Sequence, residues 1–376
     1  MTAAEIHGFC DERFAPLKEA FAQNFEDDLE VGASIAATWQ GEPVVDLWAG
    51  WADGARTRPW EIDTIVPVAS TTKMMVTLCL LMLVDRGRID LDTPIASYWP
   101  EFAAGGKDSV TVHDLLTHQA GAPGFTPPVQ ATLFLDWEGS VARIAAEPHW
   151  FDGERRVIYH PATYGLIGGE LVRRVDGRMP ALFFREEVAD PAGLDFYLGV
   201  AEIPDPDRIA DVVVPPAPPL VLPPGLLERL FHSVVGIEGT PFATTMNVSG
   251  NGVTNARAIA RGCAIFACAG ALDGVSYLSR EMVDAAWSEQ AYGECPYLGW
   301  IRLGLGFGLN GRDFQYYPSP DGYGWGGHGG SIGWMDTRLG YSIGYTPNHF
   351  LADPHLDSRV ERISNAMRAA LAKLTP

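Results

Sequence analysis

The sequence predicts an α/β protein of the α+β type, in which an antiparallel sheet flanked by helices is built from both chain ends and a mostly helical lobe is inserted between them. Three observations carry this. Strand-like apolar runs sit near the two termini, at Val31–Trp39, Pro43–Trp51, Leu303–Leu309 and Ile332–Tyr345. The middle of the chain shows helical rather than alternating periodicity. With 376 residues and 47% apolar content, the chain is long enough for two lobes around a large core. The expected division places 1–85 and 246–376 in the α/β domain. The helical lobe is then 86–245, including a Pro-rich excursion at 204–224.

In chain order, Phe14, Leu17, Phe21 and Phe25 recur at helical spacing and predict a helix over residues 10–26. Gln40-Gly41-Glu42 separates the first two apolar runs and predicts a β-hairpin. Residues 74–84 are apolar almost all round, the mark of a helix buried on every side. Pro94 opens another short helix, and Val110–His118 predicts a further one, closed by Gly121 and Pro123. Helical periodicity returns over 131–146 and 163–176. The excursion 204–224 holds eight prolines and cannot be a regular helix. Its interleaved valines and leucines suit an ordered surface segment, one that could wall the active site. Helices are expected at Ala256–Ala269 and Ser279–Ser288, and an amphipathic helix over 356–373 closes the chain.

Composition excludes several functions. A formal net charge of −20 repels nucleic acid and anionic membranes. The apolar run after residue 73 is too short to span a bilayer. The N-terminus has neither the basic region nor the apolar core of a signal peptide. The five cysteines, Cys10, Cys79, Cys263, Cys268 and Cys295, are scattered and suit free thiols in a reducing, cytoplasmic setting. There is no phosphate loop or dinucleotide fingerprint, and no cofactor is expected. His113, Asp114 and His118 are close in sequence, but the histidines are poorly spaced for one helical face, so capping and packing explain them better than a metal. The sequence does not choose between monomer and homodimer.

Chemistry concentrates at Ser70-Thr71-Thr72-Lys73. On a helix, residues i and i+3 share a face, so Ser70 and Lys73 project together at the head of the buried segment. Lys73 is one of four lysines in the chain. Burial and the positive helix end both disfavour its charge, which leaves an amine able to take a proton from serine. The plainer alternative is a helix cap with a snorkelling lysine.

Ser70-x-x-Lys73 resembles the first motif of the serine β-lactamase and penicillin-binding-protein superfamily. Val110-Thr111-Val112-His113-Asp114-Leu115-Leu116-Thr117-His118-Gln119-Ala120-Gly121 resembles a segment of its class C branch, and so does Ala269–Gly274 with Leu278-Ser279. The resemblance covers residue 30 to the end. It implies a second motif at Tyr159-His160-Pro161, where Pro161 replaces the usual Asn or Ser and removes a side-chain amide that holds amide substrates. It also implies a third motif on the edge strand. There His328-Gly329-Gly330-Ser331 is the favoured match, and Trp325-Gly326-Gly327 is a competitor of the kind used by family VIII carboxylesterases. Neither supplies the lysine that binds the carboxylate of a β-lactam.

The implied mechanism has Ser70 attack an acyl carbonyl while Lys73 and Tyr159 share its proton. The oxyanion lies between the N–H groups of Ser70 and Ser331. Gly329-Gly330-Ser331-Ile332-Gly333 also matches the nucleophile elbow of α/β-hydrolases, but a strand-like stretch follows it and too little chain remains for that fold. The expected function is hydrolysis of small carboxylic esters through an acyl-enzyme on Ser70. The alternatives with the same centre are a β-lactamase, a D-amino-acid peptidase or amidase, and an acyltransferase. A non-catalytic binding member of the fold is a further option, disfavoured by the intact Ser70, Lys73 and Tyr159 set.

Overall fold

Nine antiparallel strands join the two chain ends in one sheet. They are β1 (Ile6–Cys10), β2 (Gly32–Trp39), β3 (Glu42–Gly50), β4 (Ala291–Cys295), β5 (Gly299–Leu303), β6 (Gly308–Leu309), β7 (Tyr323–Gly326), β8 (Ile332–Asp336) and β9 (Tyr341–Pro347). Their order is β1-β3-β2-β9-β8-β7-β6-β5-β4. The seam is β2–β9, with Ile35 opposite Tyr345. The computed structural model describes residues 4–215, 222, 224–236, 242–311, 316–351 and 357–374. Residues 216–221 and 223 of the Pro-rich excursion lie outside the described residues. Its described part pairs Ile209 with Ile65 and Val213 with His349.

The β2–β3 hairpin turns through Gln40 and Gly41, both at positive φ, as a two-residue hairpin requires. Two predicted single strands are pairs instead. Leu303–Leu309 breaks into β5 and β6, because Gly306 takes φ +78° and the Gly304 N–H turns back to the Phe307 carbonyl at 2.9 Å. Ile332–Tyr345 breaks into β8 and β9, where Asp336 Oδ1 accepts from the Arg338 and Leu339 N–H groups at 2.8 Å each. The turn closes at Gly340, with φ +72°. The predicted Val110–His118 helix is shorter, Val112–Leu116, and is opened by a Thr111/Asp114 capping box.

Helices cover both faces. On one, α1 (Ala15–Glu26) and α7 (Ser358–Leu374) bury Leu17, Phe21, Ile363 and Met367 against Ile35 and Ile343. On the other, α2 (Lys73–Asp85) and α5 (Ala256–Ala267) lie against the sheet and share the larger core with α3 (Trp137–Ala146), α4 (Thr163–Asp176) and α6 (Arg280–Trp287). Every residue of α2 from Lys73 to Leu83 is buried. Different neighbours meet its different sides. Met74 Cε would lie 2.2 Å from a Cβ on Gly333 of β8, Met75 reaches Gly262 of α5, and Val76 and Leu80 reach Gly168 of α4. That is why the segment carries no polar stripe, and why its head is held rigidly below the sheet.

Candidate active site

Ser70 lies in a 3₁₀ turn, Ala69–Thr72, that runs directly into α2. Ala69 before it adopts φ +44°, a left-handed conformation that costs a non-glycine residue free energy and collects at functional sites. The turn is held on both sides. Thr72 Oγ1 donates to the Ala69 carbonyl at 2.5 Å and accepts from the Gly252 N–H at 2.9 Å. Thr71 Oγ1 pairs with Ser331 Oγ at 2.9 Å.

Lys73 Nζ lies 3.0 Å from Ser70 Oγ and donates to the carbonyls of Pro161 and Ser249, each at 2.8 Å. Desolvation holds its pKa well below the ordinary lysine value. A neutral amine has two N–H donors and one lone pair. With the two carbonyls taking those donors, the lone pair of the neutral form faces the serine hydroxyl. Tyr159 completes the group. Its hydroxyl donates to Ser70 Oγ at 2.6 Å, and burial pushes its pKa up, which keeps it a phenol. Ser70 itself is half-buried, open to an approaching substrate.

The walls are aromatic. Trp325 of β7 and His118 pack on the Tyr159 ring at centroid distances of 5.6 and 5.1 Å. Tyr297 stacks on it at 6.2 Å, and Phe231 meets Tyr297 edge-on at 4.9 Å. His118 and His160 are buried and held neutral, His160 with its pKa lowered to about 3 by desolvation. His118 Nδ1 accepts the His160 N–H at 3.2 Å, which fixes the backbone next to Tyr159.

The structure places the predicted residues unevenly. Ser70, Lys73 and Tyr159 form one hydrogen-bonded group, with Trp325 against it. His328, the favoured third-motif residue, turns its ring edge-on to Phe350 at 5.0 Å. Trp325-Gly326-Gly327 is therefore the segment that reaches the cluster. A Cβ on Gly327 would lie 2.1 Å from the Val68 carbonyl, so only glycine fits there. Gly329 packs on the Phe350 ring and Gly330 on Asp357. The Ser331 hydroxyl donates to the Val68 carbonyl at 2.8 Å, a structural bond that leaves it no nucleophilic role.

Ser249 and Asn247 escaped the sequence reading. Ser249 supplies a carbonyl to Lys73, and its hydroxyl donates to the Ala162 carbonyl at 2.8 Å and accepts the Gly165 N–H at 2.6 Å. Asn247 Nδ2 donates to the same Ala162 carbonyl at 2.9 Å. Together they fasten the Tyr159 loop to the lysine. Among the described residues, no group of three or more His, Cys, Asp or Glu side chains could hold a metal ion.

The family described as Beta-lactamase matches residues 21–366. The chain belongs to the Beta-lactamase family. Its similarity to known proteins runs almost end to end. Esterase/beta-lactamase LipL of Mycobacterium tuberculosis is 34% identical over 365 residues, covering 92% of this chain and 84% of LipL. A penicillin-binding-protein homologue from Caulobacter crescentus superposes with a TM-score of 0.90 at 37% identity, covering 97% of this chain and 100% of that one. A family VIII carboxylesterase superposes at 0.87 with 34% identity, over 97% and 100% of the two chains.

Proposed function

We propose that this Beta-lactamase family member is a serine hydrolase of carboxylic esters, working through an acyl-enzyme on Ser70. The observation that carries the reading is the closed hydrogen-bond geometry of Ser70 with Lys73, whose pKa burial lowers, and with the phenol of Tyr159. Lys73 Nζ accepts the Ser70 proton as Oγ attacks the ester carbonyl, and the tetrahedral intermediate carries the negative charge on the former carbonyl oxygen. The peptide N–H of Ser70 and one in the Gly327–Ser331 turn other than those of Gly327 and Gly330, which bond within the turn, stabilise that oxygen. Tyr159 gives its proton to the departing alkoxide, and the proton that Lys73 took from Ser70 neutralises the resulting phenolate. Water then attacks the acyl-enzyme with the same groups acting in reverse.

Preference for esters over β-lactams rests on Trp325, an uncharged indole where a carboxylate-binding cation would be needed, and on Pro161, which offers no side-chain amide. The neighbouring family VIII carboxylesterase supports ester hydrolysis, while LipL is named for both esterase and beta-lactamase. The aromatic walls suit a small apolar acyl or alcohol group. The five cysteines are unpaired, which supports residence in a reducing compartment such as the cytoplasm. Among the described residues no helix is long and apolar enough to cross a membrane. The test is a panel of p-nitrophenyl esters run beside nitrocefin. Short-chain esters are expected to turn over faster, and faster nitrocefin turnover would reject the ester preference.

A further inference from the structure

Behind the Gly327–Ser331 turn sits a guanidinium that the chemistry above does not use. Arg359, near the start of α7, is fully buried. Its Nη2 donates to the Gly329 carbonyl at 3.0 Å and to Asp357 Oδ2 at 2.8 Å. Its Nη1 donates to the His349 carbonyl at 2.7 Å and to Glu30 Oε2 at 3.1 Å, and its Nε donates to Asp357 Oδ1 at 3.0 Å. One rigid fork thus ties the turn to the segment after β9, to the entry of β2 and to the head of α7.

On that side the turn meets this network and the Phe350 ring. Gly329 and Gly330 take φ +98° and +99°, conformations that only glycine adopts freely, and neither has a side chain to anchor it. Gly330 is pressed directly on the network, since a Cβ there would lie 2.4 Å from Asp357 Oδ2 and 2.6 Å from Arg359 Nη2. On the opposite side the turn grips the nucleophile's own segment. The Ser331 hydroxyl donates to the Val68 carbonyl at 2.8 Å, and the Gly327 N–H closes the turn on the Ser331 carbonyl at 2.8 Å. The direction of the turn's peptide N–H groups is therefore set between Val68 and Arg359.

We propose that Arg359, oriented by Asp357 and Glu30, is a positioning residue for oxyanion stabilisation. It touches no substrate, and it aims the peptide N–H of the Gly327–Ser331 turn at the oxygen that gains charge during acylation. The inference rests on the serine-ester reading above. An oxyanion site discriminates in the transition state, so loosening it lowers kcat while leaving KM nearly unchanged.

The test compares wild type, Arg359→Lys and Asp357→Asn on a p-nitrophenyl ester and its thionocarbonyl counterpart. Circular dichroism checks folding, and intact-mass measurement checks the Ser70 adduct. Lysine keeps the charge but cannot span the same acceptors, and the asparagine variant keeps the size of Asp357 if the lysine variant does not fold. Sulfur accepts hydrogen bonds poorly, so the oxo/thiono rate ratio reports the oxyanion site itself. The folded variants are expected to lose about 10- to 100-fold in kcat on the oxo ester, below the full loss of a donor. The thiono ester is expected to lose much less, so the ratio narrows. Equal losses on both esters, or a ratio unchanged from wild type while Ser70 is still acylated, would overturn the proposal. Absence of any Ser70 adduct in wild type would instead overturn the serine-ester reading beneath it.

Discussion

Replacing Lys73 by methionine separates a neutral amine from a buried ammonium. Methionine fills the stem of the lysine but cannot donate to the carbonyls of Pro161 and Ser249, which now accept Lys73 Nζ at 2.8 Å each. Each orphaned buried acceptor costs about 1–3 kcal/mol, so the pair costs about 2–6 kcal/mol before the site relaxes. Loss of the proton acceptor lowers kcat by about 100- to 10,000-fold. The pH dependence follows from the depressed pKa of Lys73. Between that value and the ~10.4 of an unfolded lysine, the unfolded chain holds a proton that the folded chain lacks. Lys73 therefore makes stability rise with pH in that window, by about 1.4 kcal/mol per unit, and the methionine variant lacks this contribution. Urea unfolding of both proteins from pH 7 to 10, with ester kinetics alongside, measures each quantity. An equal pH slope in the two proteins would show that wild type buries a charged lysine and would refute this reasoning.

Tyr159→Phe removes only the hydroxyl that donates to Ser70 Oγ at 2.6 Å. Ester turnover should fall by about 100- to 10,000-fold, while stability changes by no more than about 0.5–1.5 kcal/mol. A variant with wild-type turnover would remove Tyr159 from the mechanism. Glu30 is fully buried beside Arg359, whose charge Asp357 also engages, and desolvation pushes its carboxyl up to about 8. Its folded pKa lies above the unfolded value, so its contribution is complete below about 4.3 and declines by about 1.4 kcal/mol per pH unit up to the folded pKa. Glu30→Gln should abolish this decline in urea titrations, and a variant that keeps the full slope would assign it to another group.

The proposed nucleophile and its proposed partners were legible as a cluster because each carries a side-chain signature. Ser70 and Lys73 share a helical face, and Tyr159 stands before a helix in a recognisable segment. Ser249 was not legible, because it acts on Lys73 through a backbone carbonyl, which any residue could supply. The third motif was ambiguous for a related reason. Trp325 and His328 lie three residues apart on either side of a glycine pair, and only the β7–β8 register decides which side chain meets Tyr159. The seam between the chain ends followed from the clustering of apolar runs. Strand counts did not, because glycine turns such as Gly304–Phe307 interrupt continuous hydrophobic stretches without a polar residue to mark them. Strand β1 was also missed, since Ile6–Cys10 lies at the sheet edge with His7, Gly8 and Phe9 exposed and shows little alternation.

The central claim is that an ester acylates Ser70. Mixing the protein with an excess of a p-nitrophenyl ester, quenching in acid and mapping the modified peptide by mass spectrometry tests it most directly. The account predicts one acyl group on Ser70 in wild type and none in Ser70→Ala, with turnover lost in that variant. An adduct on another residue, or undiminished turnover in Ser70→Ala, would contradict it.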